Sequence, residues 1–384
     1  NTTTGYWDIR QTVVGNSGHT NMGNRMEISD DKMVILASSS GIADVLILNT
    51  STNFYSVSSY GTGHGGAIAL SGDGNTYALA LSTTSYATGQ QVGYLLTFST
   101  NDYWATRNNK FAQIPIAGST DYDRIGNSSI ALSFDGNLLA FNVEEWHFNN
   151  SPYQTNNGRG KVLFYRWDYD SSINAYDWLP LTQLSGGSPY EFFGSKIEMS
   201  GDGNCVAISS TRATASTTYG SWSVYDDTSK PYVNVYDWDS SSNSYLKRGN
   251  TIYSSSSVND DLFGVQLVLS DDKKSICIFT PYNDNNGFVI NGLLELYTYN
   301  GNDWVKLGNG ATGFGNNNRL GLNASATGDL TKIVTSSTSI TYNTVDYATG
   351  CIYTFEYSNS TPIYLYGNAT VNLNIYQPYT DAGY

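Results

Sequence analysis

Ile197-Glu198-Met199-Ser200-Gly201-Asp202-Gly203, followed by Asn204-Cys205-Val206-Ala207-Ile208-Ser209, decides the fold: one short apolar run ends in Ser, turns through Asp-Gly and passes into a second. Ser and Asp side chains bond nearby backbone amides and Gly takes a positive φ, which together make a tight hairpin. The unit recurs at Met26-Glu27-Ile28-Ser29-Asp30-Asp31, Ile68-Ala69-Leu70-Ser71-Gly72-Asp73-Gly74, Ile130-Ala131-Leu132-Ser133-Phe134-Asp135-Gly136 and Leu267-Val268-Leu269-Ser270-Asp271-Asp272. A degenerate copy runs from Leu322-Asn323-Ala324-Ser325 to Gly328-Asp329. Asp73, Gly74, Asp135, Gly136, Asp202 and Gly203 are therefore expected to be structural turn residues.

Each hairpin is followed by a third apolar run: Val45–Leu48, Tyr94–Phe98, Val162–Tyr165, Val233–Tyr236, Leu293–Tyr297 and Ile352–Phe355. A fourth element opens on an aromatic at Tyr55, Trp104, Trp178, Tyr245, Trp304 and Tyr364. Four strands per unit, repeating every ~40 to 70 residues, is the pattern of propeller blades. A sandwich does not repeat its own sequence, and a string of separate domains would require each ~55-residue unit to bury a core alone, which is marginal. Tyr6–Gly15 is a copy of the fourth strand standing before the first complete unit, as in a ring closed by its N-terminal strand. The expectation is all-β: one propeller over residues 1–367, with six four-stranded antiparallel blades and seven as the alternative. Residues 368–384 form a C-terminal tail or an added edge strand.

Composition agrees. The 384 residues include 31 Tyr, 8 Trp and 38 Gly, and no window shows the three-and-four spacing of an amphipathic helix. The formal net charge of −14, with no basic run, excludes nucleic-acid binding, which requires clustered Lys and Arg. Apolar runs of a few residues exclude a spanning helix. Cys205, Cys277 and Cys351 each lie in an apolar strand and read as buried thiols, with one bridge plus one free thiol as the alternative. The chain opens at Asn1 with no initiator Met, as a processed or a trimmed form would, and an exported protein is expected.

The units resemble the Phe-Gly/Ser-x-Asp-Gly propeller repeats related to the FG-GAP family of extracellular, adhesin-like and large-virus surface proteins. Phe193-Gly194 precedes Ser200-Gly201-Asp202-Gly203, Phe263-Gly264 precedes Ser270-Asp271-Asp272, and Ile125-Gly126 precedes Ser133-Phe134-Asp135-Gly136. The resemblance covers residues 5 to 367 and implies a propeller used for contact with proteins, glycans or a surface. The family's calcium-binding loops carry alternating Asp or Asn ligands, and a single Asp followed by Gly does not supply six to eight oxygens. No metal or cofactor is expected; Asn283-Asp284-Asn285-Asn286 and Asp226-Asp227 come nearest to a cation loop.

Catalytic material is sparse. A glycosidase requires two facing carboxylates, and Glu144-Glu145-Trp146-His147 is the best local candidate, yet adjacent residues on a strand point to opposite faces. His19, His64 and His147 are the only histidines, too few for a multi-histidine site. Nine arginines are scattered, with no cluster of the kind a sialidase uses. No enzyme is expected. Trp146, Phe148, Tyr153, Tyr219, Trp222 and Tyr225, in two long loops, are candidates for stacking on sugars or anchoring a partner. Sequons at Asn1, Asn49, Asn127, Asn149, Asn323, Asn359 and Asn368 are glycosylation candidates. The resulting expectation is a non-catalytic structural or adhesive propeller and glycoprotein at an extracellular, cell or virion surface. Its partners would be proteins, further copies joined through the tail, or glycans. A lectin-like receptor binder is the alternative, and a polysaccharide-active glycosidase stands third.

Overall fold

The computed structural model of the chain describes residues 11–13, 25–38, 43–60, 64–84, 91–99, 125–144, 158–188, 191–211, 230–254, 262–284, 287–313, 315–337, 340–342, 345–347, 351–358 and 361–364. Among the described residues every regular element is a strand. The architecture is a β-propeller of six four-stranded antiparallel blades; in the second of them, three strands fall among the described residues.

The chain divides into two compact units. The first spans 1–143 and 163–181, the second 144–162 and 182–384. In the first unit, β1 (Arg25–Ile28), β2 (Val34–Ser38), β3 (Ala43–Asn49) and β4 (Phe54–Tyr60) form the first sheet, and β5 (His64–Leu70), β6 (Thr76–Thr84) and β7 (Gln91–Ser99) the second. The third is β8 (Ile125–Leu132), β9 (Leu138–Val143), β10 (Lys161–Asp170) and β11 (Ala175–Ser185), the start of β10 and the end of β11 belonging to the second unit. Leu36 and Val45 pack on Ile68, Tyr77, Leu79 and Phe98, joining the first two sheets. Ala78, Ala80 and Leu95 meet Ile130, Leu139, Phe141 and Trp178, joining the second and third.

The second unit holds the fourth sheet, β12 (Phe193–Met199), β13 (Cys205–Ser210), β14 (Tyr232–Asp239) and β15 (Ser244–Tyr253), and the fifth, β16 (Gln266–Leu269), β17 (Ser275–Thr280), β18 (Leu293–Tyr299) and β19 (Trp304–Thr312). β20 (Ala324–Ala326), β21 (Lys332–Ser337), β24 (Cys351–Ser358) and β25 (Thr361–Tyr364) form the sixth; β22 (Ile340–Tyr342) and β23 (Val345–Tyr347) make a short ribbon between its second and third strands. Alternation divides each strand between two cores. On β17, Ile276 and Ile278 face Val235, Phe263 and Leu267, while Cys277 and Phe279 face Leu320, Ile333 and Tyr353. Each fully buried side chain of this size contributes about 1.5–3 kcal/mol.

The six first-to-second-strand turns share one geometry. Ser29, Ser71, Ser133, Ser200, Ser270 and Thr327 each donate a hydroxyl to the Asp two residues on, at 2.6 to 2.7 Å. Each hydroxyl oxygen in turn accepts the amide five residues on, at 2.9 to 3.0 Å. The fourth residue of every turn has positive φ: Gly74, Gly136 and Gly203, but also Lys32, Lys273 and Leu330. Two bonds from one hydroxyl hold the turn firmly enough that glycine is dispensable there. The sixth turn was expected to begin at Ser325; it is Thr327-Gly328-Asp329, because Ser325 is already in β20 and threonine supplies the same hydroxyl.

Neighbouring turns within a unit are tied together. Asp30 N donates to Gly72 O at 2.9 Å and Asp73 N to Phe134 O at 2.9 Å in the first unit. In the second, Asp271 N donates to Gly328 O at 2.7 Å, and Lys273 Nζ binds Asp202 Oδ2.

The fourth-strand aromatics act in two ways. Tyr55 and Tyr245 reach back to their own sheet's turn, donating to Lys32 O at 2.6 Å and Gly203 O at 2.5 Å. Trp178 and Trp304 reach the preceding sheet, donating from Nε1 to Thr97 Oγ1 at 2.9 Å and Arg248 O at 3.1 Å. Trp104 lies outside the described residues. In the Phe-Gly pairs, buried Phe193 and Phe263 are each followed by a positive-φ glycine. A Cβ on Gly264 would stand 2.9 Å from Ser209 Cβ and 3.0 Å from Val233 Cγ2, so a side chain there would force the fourth and fifth sheets apart. Leu320-Gly321 repeats the motif in the sixth sheet with Leu for Phe. Of the proposed closing strand, Gln11 to Val13 are described; residues 368–384 lie outside the described residues.

Candidate functional site

The Ser/Thr-x-Asp turns occupy one end of each sheet. The opposite end carries the second-to-third-strand and sheet-to-sheet connections, including the long runs 144–160 and 211–231. At that end of the fourth sheet, Phe193, Ser210, Tyr232 and Tyr253 form one row across the four strands. Glu191 stands just before this row. Its Oε1 accepts the Tyr232 hydroxyl at 2.5 Å, its Oε2 accepts Ser188 N at 2.8 Å, and its backbone carbonyl accepts the Ser210 hydroxyl.

The chain around Glu191 is clamped. Phe192 N donates to Gly158 O at 2.8 Å, Phe193 N to Arg159 O at 3.0 Å and Gly186 N to Gly160 O at 3.0 Å. A Cβ on Gly186 would lie 2.6 Å from Arg159 O and 2.7 Å from Glu191 Oε2; glycine there lets the carboxylate lie against the main chain.

The electrostatics keep the phenols protonated. Burial, and then the hydrogen bond and charge of Glu191, push Tyr232 far above its ordinary value. Burial pushes Tyr236 up to about 12; the bond from Asn234 Nδ2 opposes the shift and the Glu191 charge adds to it. Tyr232 is thus a fixed donor and Glu191 a fixed acceptor. A half-buried carboxylate oriented at both oxygens, with lone pairs left over, is suited to hold a water or take a proton from one.

The aromatics expected to bind ligands, Trp146, Phe148, Tyr153, Tyr219, Trp222 and Tyr225, lie outside the described residues, as do Glu145, His19 and His147. Glu144 is described, half-buried, just after β9. Asn49 and Asn323 are exposed and Asn127 lies on β8; Asn1, Asn149, Asn359 and Asn368 are outside the described residues. Asp284 accepts Ile290 N at 2.6 Å, and among the described residues no three His, Cys, Asp or Glu side chains gather as a metal site. Cys205 and Cys277 are free and buried.

Sequence reading passed over Glu191. The available signal was a carboxylate two residues before Phe193-Gly194, which places it at the entry to an inner strand.

No family model matches the chain, and no curated protein matches it. Among solved structures it is similar to a putative 6-phosphogluconolactonase from Bacteroides uniformis, at a TM-score of 0.51 and 12% identity, over 89% of this chain and 83% of that one. Prolyl oligopeptidase B from Galerina marginata matches at a TM-score of 0.50 and 10% identity, over 94% of this chain and 44% of that one. The periplasmic gluconolactonase PpgL of Pseudomonas aeruginosa matches at 0.48 and 14% identity, over 85% of this chain and 78% of that one. At these identities the likeness establishes the propeller fold and no more.

These matches correct the functional expectation. A non-catalytic surface propeller was expected, but two solved structures that share the fold, at TM-scores of 0.51 and 0.50, are titled as enzymes. The fold therefore gives no ground for excluding catalysis. The FG-GAP-like resemblance, with its adhesive, viral and glycoprotein associations, has no support among these matches beyond the propeller fold.

Proposed function

We propose that the chain is a propeller hydrolase acting on an ester or lactone of a small polyhydroxylated acid, with Glu191 as general base. The observation that carries this reading is the Glu191 carboxylate fixed between the Tyr232 hydroxyl and Ser188 N at the loop end of the fourth sheet. The fold likeness to a protein titled a putative 6-phosphogluconolactonase supplies the substrate class.

In this reading Glu191 takes a proton from water as the water oxygen bonds to the acyl carbon. The acyl C–O bond then breaks, and the departing alkoxide takes that proton from the Glu191 carboxyl, so that lactone plus water gives the open hydroxy acid and the carboxylate is restored. Tyr232 holds the carboxylate in place and remains protonated throughout. An exported location belongs to the same reading, and the exposed sequons at Asn49 and Asn323 accord with it.

The test is pH-stat hydrolysis of a panel of aldonolactones and simple esters by the purified chain. Turnover is expected, falling at least ~100-fold in Glu191→Gln and less in Tyr232→Phe. Absence of turnover on the whole panel, or turnover unchanged in Glu191→Gln, would overturn the assignment.

A further inference from the structure

Two arginines among the described residues stack on tyrosine rings, and they differ in how their charge is met. The Arg248 guanidinium carbon lies 4.9 Å from the Tyr299 ring centre; its Nε donates to Asp237 Oδ2 at 2.7 Å and its Nη1 to Lys273 O. The Arg319 guanidinium carbon lies 5.1 Å from the Tyr282 ring centre. It forms no ion pair among the described residues, and its buried Nε has no hydrogen-bond acceptor.

The backbone around Arg319 is fixed. Asn317 N donates to Val289 O at 2.8 Å, Arg319 N to Ile290 O at 3.0 Å and Leu320 N to Asn291 O at 3.2 Å, lacing the approach to the sixth sheet onto the loop after β17. Two residues on, Gly321 lies against the Phe279 ring, where a Cβ would stand 2.9 Å from Phe279 Cβ. Arg319 itself has positive φ, but Phe192 and Leu262 hold the same place before the other two buried-residue-and-glycine pairs of this unit and share it. The backbone shape thus belongs to the repeat, and only the guanidinium is particular to this position. Beside it, Phe288 and Val289 are exposed.

A guanidinium on an aromatic platform, with its planar donor fork not turned to a carboxylate, matches a bidentate oxyanion. In a chain of net charge −14, a neighbouring carboxylate would be the common way to neutralise it, as Asp237 does for Arg248. We infer that Arg319 and Tyr282 form a binding site for a small oxyanion, a carboxylate or a phosphate group, with Phe288 and Val289 beside it for the ligand's apolar part. The site lies in the fifth-to-sixth-sheet loops and does not depend on the hydrolase reading.

The test uses the full chain with two probes, inorganic phosphate and gluconate. Calorimetry follows binding, and nitrogen-15 spectra of the arginine Nε–H groups follow the side chain, with the Arg319 resonance assigned by its loss in Arg319→Lys. Saturable millimolar binding of either probe is expected, shifting the Arg319 Nε–H signal. Arg319→Gln should weaken it by about tenfold or more, as for loss of a charge-assisted pair. Arg166→Gln, at an exposed arginine, should leave it unchanged. Binding of phosphate alone identifies a phosphate site, and of gluconate alone a carboxylate site. No saturable binding of either probe by protein that melts cooperatively would overturn the inference, as would undiminished affinity in Arg319→Gln.

Discussion

The side-chain amide of Gln11 grips the main chain of Tyr55 at both atoms: Tyr55 N donates to Gln11 Oε1 at 2.7 Å, and Gln11 Nε2 donates to Tyr55 O at 2.9 Å. In the second unit, Asn250 on β15 plays the same part toward the first residue of β19, accepting Trp304 N at 2.7 Å. Gln11 therefore contacts the first sheet as a fourth-strand residue contacts the sheet that follows. Gln11→Ala should destabilise the protein by about 1–3 kcal/mol, since two part-buried backbone groups lose their partner. Chemical denaturation reads the change, and a shift like that of a surface substitution would count against the clasp.

Thr327 stands where the other five turns carry serine, and its hydroxyl makes the same two bonds. Thr327→Ser should be near neutral and Thr327→Val destabilising, because the Lys332 amide and the Asp329 carboxylate both lose a partner while size is kept. Equal melting temperatures for the Val and Ser variants would show that the hydroxyl contributes nothing.

Asp329 is held at about 2 by the Thr327 hydroxyl, then the Thr331 amide and hydroxyl. Bonds from Ser29 and Ser270 lower Asp31 and Asp272 in the same way. Burial pushes Asp202 up, but Lys273, Ser200 and Asn204 outweigh it and hold it well down. Since the folded values lie below the unfolded ones, this stabilisation is complete above about pH 4 and is lost as pH falls through about 2. Melting temperature should be flat above pH 4 and drop steeply below it, with a shallower drop in Asp202→Asn. A wild-type curve with no acid limb would contradict the assignment.

Burial, and then the Asp237 charge, push the Cys205 thiol up to about 12; burial, and then the Glu295 charge, raise Cys277 well above the ordinary range. Neither supplies thiolate at neutral pH. Under native conditions a disulfide reagent should leave both unmodified, and denaturant should expose both. Rapid native labelling of either, resolved by peptide mass mapping, would refute their burial.

Much of the fold was legible because its determinants are local. A Ser or Thr hydroxyl, an Asp two residues on and a free amide five residues on all lie within one hairpin, so the turn is written in consecutive residues. The sixth turn was misplaced by two residues because Ser325 offers the same chemistry and only strand register excludes it. The division of labour between Tyr55 and Tyr245 on one side and Trp178 and Trp304 on the other was not legible, since tryptophan's partner sits on another sheet.

What the sequence determined by itself was the repeat, the four-strand unit and the all-β class, each following from hydrophobic alternation and short-range side-chain bonds. Tertiary structure alone decided the candidate sites. Glu191 meets Tyr232 forty-one residues away, and Arg319 settles on Tyr282 thirty-seven residues away, because strand pairing sets sheet ends side by side. Those meetings depend on register and on the path of loops between sheets, which no run of neighbouring residues encodes.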